Sequence, residues 1–200
     1  MQVLKDEIRK NILSSAKELF YLKGYNNASI RDITKKAGIT VGNVYRYFDN
    51  KESILEGIVQ PVYIRIMDFI KFSEKLLEQG RNKSFNDFRS IINRSIIDIS
   101  REFRLELLIL FTRTKGTRFE KTREDLISVI ENMIYEGLFK KNNLQYGEAV
   151  FLSKIVARTF LDGLFMVVSE MDNSESLEKM IYLLNDFYYN HLDIRFETKS

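Results

Sequence analysis

The chain has 200 residues, 44% of them hydrophobic and 30% charged, with no cysteine, one histidine, one proline and a net charge of +3. That balance belongs to a soluble globular chain, and the lack of cysteine excludes disulfides and any thiolate-held zinc or iron–sulfur centre. Residues 1–51 hold ten Lys or Arg against five Asp or Glu, whereas the rest hold 21 against 23, so the basic charge sits at the N-terminal end, where a positive field favours phosphate.

The opening Met-Gln-Val-Leu-Lys-Asp-Glu carries charges where an export signal needs an apolar core. The greasiest segment, 149–168, is interrupted by Lys154, Arg158 and Asp162, so no run approaches the ~18 apolar residues that span a bilayer. A cytoplasmic protein with no membrane partner is expected. Ile8, Ile12, Ala16, Leu19 and Phe20 recur at helical spacing and predict a first helix ending at Gly24. Residues 1–5 read as a frayed terminus, with a short DNA-reaching arm as the alternative.

Ser29 followed by Asp32 has the spacing of a capping box and starts a second helix at Ile30, which Gly38 ends. Ile39 fills the corner, and Thr40 caps a third helix running from 41 to about 48. Two short helices joined by a Gly-containing turn form a helix-turn-helix, the unit that lays its second helix in a major groove. Val44 and Phe48, four apart, face inward, which leaves Val41, Gly42, Asn43, Tyr45, Arg46 and Tyr47 facing outward. Gly42 permits close backbone approach, Asn43 matches adenine N6 and N7, and Arg46 suits guanine or phosphate. Tyr45, Tyr47 and Lys51 are donors of the kind that hold phosphate and fix register.

Leu19-Phe20, Gly24-Tyr25, the run from Ser29 to Ile33, Ala37-Gly38-Ile39-Thr40, and Gly42-Asn43-Val44-Tyr45-Arg46-Tyr47-Phe48 followed by Lys51-Glu52 resemble the TetR/AcrR-type transcriptional regulators. The resemblance covers roughly the first quarter of the chain. It implies an all-helical homodimer that binds double-stranded operator DNA and releases it when a small-molecule effector occupies the C-terminal domain, and it adds Ser29, Arg31 and Thr40 to the DNA-contacting positions. Val41 stands where many members carry a polar residue, and contact with a thymine methyl is what remains to it.

Asp49 and Glu52 are expected to cap a fourth helix carrying Ile54, Leu55, Ile58 and Val59, and Pro61 within it predicts a kink or a break. Residues 79–83 read as a loop, closed by a capping box at Ser84 and Asp87, after which Phe85, Phe88, Ile92, Ile96 and Ile99 mark one buried face. Leu105 to Phe111 predict a short buried helix ending at Gly116, and Thr117 with Glu120 a box opening the next, with Leu126, Ile130, Met133, Ile134 and Leu138 inward. Two long helices follow, over about 147–171 and 175–192. No lasting period-two alternation appears, so the fold class is all-α with eight or nine helices: an N-terminal three-helix helix-turn-helix domain (1–51) and a larger helical ligand-binding and dimerisation domain (52–200).

Apolar positions on both faces of the last two helices, with the dimer the resemblance implies, nominate Phe151, Ile155, Gly163, Ile181, Leu184 and Tyr188 for a four-helix dimer interface. Phe69, Phe88 and Phe111, with the polar Arg104, Arg158 and Asp162, are the candidates for an effector site. No nucleophile elbow, phosphate loop, dinucleotide fingerprint or metal-spaced cluster is present, His191 reads as an ordinary amphipathic residue, and Glu102 and Glu106 read as exposed helix charges. Neither an enzyme nor a cofactor or metal site is expected. The competing reading is a DNA-binding dimer with no effector, its C-terminal domain serving only for dimerisation or protein partners.

Overall fold

The computed structural model describes residues 2–79, 85–140, 144–171 and 173–190, with backbone alone at 2, 3, 76–79, 85–89 and 138. Among these residues there are nine α-helices and no strand: α1 Gln2–Lys23, α2 Ile30–Ala37, α3 Val41–Val44, α4 Lys51–Gln79, α5 Phe85–Glu102, α6 Arg104–Thr112, α7 Thr122–Ile134, α8 Tyr146–Glu170 and α9 Ser174–Tyr189. A π-helical turn, Tyr135–Phe139, extends α7. The all-α expectation holds, and the 80–84 loop with its Ser84 cap, the side chains of Phe85, Phe88 and Leu138, and His191 lie outside the described residues.

The helices form two compact packing groups, Met1–Arg65 with Phe103–Thr122, and Ile66–Glu102 with Arg123–Ser200. A domain division after residue 51 is a different partition, since the first group takes in the opening turns of α4 and the α6 region.

In the first group the core is Ile12, Ala16, Phe20, Ala28, Ile33, Val44, Phe48, Ile54, Leu55, Val59 and Val62. These apolar side chains recur at helical spacing on α1 and α4 and meet over the short helices between. Gly57 permits α4 to lie against α1, because a Cβ there would stand 2.9 Å from Leu13 Cδ2. The α6 region adds Leu107 to Leu110 to the buried set. Glu106, expected as an exposed charge, is instead largely covered and accepts from Lys17 Nζ at 2.7 Å. In the second group Ile66, Ile70, Ile96, Ile97, Ile99, Leu126, Ile127, Ile134, Ala157, Phe160, Leu161, Val168, Leu177 and Ile181 are buried.

Four local expectations are corrected. Gln2–Lys5 belong to α1 and are neither frayed nor a separate arm. The cap of α4 is Asn50, whose Oδ1 accepts from Ser53 N at 2.8 Å while Ser53 Oγ accepts from Asn50 N at 3.2 Å; this reciprocal pair displaces Asp49 and Glu52 by one position. Of the kink or break expected at Pro61, the break does not occur, since helix α4 runs through that residue. Thr117 and Glu120 do not cap α7: the Glu120 carboxylate accepts from Gly116 N at 3.0 Å, Thr117 Oγ1 donates to Thr114 O at 2.7 Å, and the helix begins only at Thr122.

Candidate nucleic-acid interface

The start of α2 carries the reciprocal cap that its sequence encodes. Asp32 N donates to Ser29 Oγ and Ser29 N to Asp32 Oδ2, both at 3.1 Å. The Ser29 N–H and hydroxyl, then the nearby Lys23 ammonium, hold the Asp32 carboxyl below its ordinary range. Gly38 ends α2 at φ 68°, ψ 31°, the left-handed region where a Cβ is costly, and its N–H returns to Thr34 O. Asn11 of α1 fixes the same end by donating Nδ2 to Ala37 O at 2.8 Å. That contact joins residues 26 apart and had no signal in local spacing.

Thr40 then caps α3, accepting from Asn43 N at 3.3 Å. Helix α3 is shorter than expected: only Val41–Val44 is regular, and the chain continues to Phe48 through Arg46 N to Asn43 O (3.2 Å) and Tyr47 N to Val44 O (2.9 Å). These i to i+3 bonds tighten the last turn, which begins where Tyr45 takes φ −66°, ψ −6°. The inward pair is as anticipated, Val44 at 0% and Phe48 at 5% exposure. Val41, Gly42, Tyr45 and Arg46 are exposed, and Asn43 and Tyr47 are half-covered. Arg31, on α2, is also exposed. No atom lies within 4 Å of where a Cβ on Gly42 would sit, so that position is open to an approaching partner.

Lys51 is placed differently from its neighbours. Its ammonium donates to Tyr25 O at 2.8 Å and Ala28 O at 3.1 Å and lies 4.1 Å from the centre of the Tyr25 ring. Burial lowers its pKa; the Tyr25 phenol is raised, first by burial and then by the Glu52 carboxylate. The side chain thus pins the start of α4 to the α1–α2 connection.

The sequence of residues 12–58 matches the family model described as bacterial regulatory proteins, tetR family. The match covers the capped α2, the Gly38 turn and α3 as one piece. That N-terminal stretch, about a quarter of the chain, is similar to the tetR family. The chain is similar to the Bacillus subtilis HTH-type transcriptional regulator YdgC, 36% identical over 77 residues, which is 38% of each chain. The matched stretch therefore spans well under half the length of that relative. The fold is similar over nearly the whole chain to SCO3833 of Streptomyces coelicolor, a tetR-family member, with TM-score 0.65 and 14% identity over 90% of this chain and 89% of that one. SmeT, the repressor of a Stenotrophomonas maltophilia multidrug efflux pump, is similar with TM-score 0.55 and 22% identity over 90% and 87%.

The remaining candidate residues are divided between the two packing groups. Arg104 and Phe111 lie in the first packing group; Phe69, Arg158 and Asp162 lie in the second. Arg158 donates to Glu124 at 2.8 Å and Asp162 accepts from Arg123, so this pair binds the partly exposed charges of α7. Of the interface candidates, Ile181 is corrected outright: it is fully buried in the core of its own chain. Leu184 packs on Gly163, where a Cβ would come within 3.0 Å of it, and Tyr188 meets Phe160 edge to face with ring centres 5.7 Å apart, so both serve α8–α9 packing within the chain. Phe151 and Ile155 are exposed as expected, and they are joined by Met166 on α8 and Met180, Leu183 and Phe187 on α9. Among the described residues no helix is long and apolar enough to cross a membrane.

Proposed function

We propose that the chain is a sequence-specific DNA-binding transcriptional regulator that acts as a homodimer. The observation that carries this is the capped α2–Gly38–α3 unit, whose inner pair, Val44 and Phe48, leaves Val41, Gly42, Asn43, Tyr45, Arg46 and Tyr47 on one open surface. Asn43 reads a base edge, Arg46 a guanine or phosphate, and Val41 a thymine methyl. Tyr45, Tyr47, Arg31, Ser29 and Thr40 hold the backbone and set register. Lys51, with two of its donors committed to carbonyls, acts by position.

The dimer reading is supported by the exposed apolar residues Phe151, Ile155, Met166, Met180, Leu183 and Phe187 on consecutive helices, a patch of the kind that a symmetric partner covers. Repression relieved by a small effector is the direction we adopt, as SmeT is a repressor. Footprinting on DNA flanking the protein's own gene tests the whole reading. Two protected half-sites centred about 34–36 Å apart, or a multiple of that, are expected. Uniform protection without half-sites would remove the claim of sequence-specific dimeric binding.

A further inference from the structure

Helix α8 turns one stripe away from its core. Phe151, Ile155, Arg158, Asp162 and Met166 follow one another at helical spacings of three and four, while Ser153, Ala157, Phe160 and Leu161 are buried on the opposite side. The stripe is apolar toward both ends and charged at its centre. Its three apolar members are exposed, and the Arg158 and Asp162 side chains keep 43% and 50% of their accessible surface.

The charges form an open row. Arg158 binds Glu124 at 2.8 Å, Glu124 meets Arg123 at 3.5 Å, and Arg123 binds Asp162, so the signs alternate from one end of the row to the other. Both ends, Arg158 and Asp162, lie on α8 one turn apart, and among the described residues they are not paired with each other. A guanidinium has several N–H donors and a carboxylate several acceptor sites, so each end keeps bonding capacity beyond its one partner within the chain.

The symmetry of the stripe says what can cover it. In a parallel two-fold pair of α8 helices each residue faces its own copy, Arg158 against Arg158. In an antiparallel pair whose axis crosses α8 at the level of Phe160, Arg158 of one copy stands level with Asp162 of the other, twice. The same register brings Ile155 level with Met166 to within one residue, about 1.5 Å of helix rise. One arrangement therefore answers the charged centre and the apolar flanks together. A purely apolar partner would desolvate the half-exposed charges and give them nothing in return.

We propose that Arg158 and Asp162 choose the partner of this face: a second copy of the chain docks antiparallel along α8, with Arg158 of each copy on Asp162 of the other, and the two charge rows close into one ring. The apolar flanks supply attraction, and the charges fix the register and turn away chains that lack the pattern. The inference rests on the homodimer reading and adds the pairing rule to it.

The test uses full-length chains carrying Arg158→Asp or Asp162→Arg, one of them with a mass tag, in sedimentation and native mass spectrometry. Each variant alone sets like charges against each other at both contacts, and its self-association should weaken about tenfold or more. Mixed in equal amounts, the two variants regain opposite charges at both contacts, so the heterodimer should form as tightly as the wild-type dimer. An effect confined to the bonds with Glu124 and Arg123 within one chain is not repaired by mixing, since each chain keeps its own defect. Circular dichroism reports folding, and the milder Arg158→Gln and Asp162→Asn should also loosen the dimer several-fold. Variants that self-associate like the wild type, or that pair no better mixed than alone, would overturn the pairing rule and leave the homodimer reading in place. A wild-type chain that sediments as a monomer would sink both.

Discussion

Lys51 and Asp32 show how one side chain sets the geometry of the reading surface. With its ammonium on Tyr25 O and Ala28 O, Lys51 holds α4 against the connection that precedes α2. Lys51→Met is therefore expected to lower both the melting temperature and DNA affinity while leaving the slope of log K against log salt unchanged. A slope smaller by about 1 would mean that a phosphate contact had been lost instead. Asp32 has a native pKa depressed by the Ser29 N–H and hydroxyl, so it contributes stability that is complete above its ordinary value of 3.8 and lost as the pH falls through the lower native value. Thermal unfolding followed down that acid limb should be steeper for the wild type than for Asp32→Asn. The Ser29–Asp32 box was legible in the sequence because both partners lie within one helical turn. The Lys51 clamp was not, because its acceptors are 26 and 23 residues away and a surface lysine near a DNA-reading helix has the same local spacing whether it faces phosphate or carbonyl.

Each short helix of the motif depends on what ends it. Helix α2 has eight residues, too few to persist alone, so its capping box, the Gly38 exit and the Asn11 bond to Ala37 O decide where it lies. Gly38→Ala should cost about 1–2 kcal/mol, measured by denaturant unfolding, since the left-handed backbone then carries a Cβ. No change in stability would show that the turn relaxes into another conformation. Element boundaries were least legible where two cap-competent residues adjoin. Asp49 and Asn50 both suit the start of α4, and Ser53 settles the choice by answering Asn50. Helix α9 posed a similar ambiguity. Apolar residues occur around most of its circumference, so periodicity offered Ile181 for the outer face, whereas packing put Ile181 inside and left Met180, Leu183 and Phe187 outside.

At the scale of the whole molecule, the α-helical class and the motif followed from sequence, because capping, glycine exits and 3.6-residue periodicity are local. The use of the second group did not, since which apolar and charged residues face a neighbour depends on packing. Its exposed stripe makes a definite prediction: Phe151→Glu combined with Phe187→Glu, at positions 66% and 72% exposed, should yield a folded monomer in sedimentation with weakened operator binding. A dimer that survives both charges would place the interface elsewhere. The central claim, that α3 reads DNA, is tested most directly by binding of the purified protein to the DNA flanking its gene, titrated against salt, beside Tyr45→Phe with Arg46→Ala. The account predicts a specific complex with a steep salt slope that the double substitution abolishes; binding that is equally tight with both substitutions in place, or indifferent to sequence from the start, would contradict it.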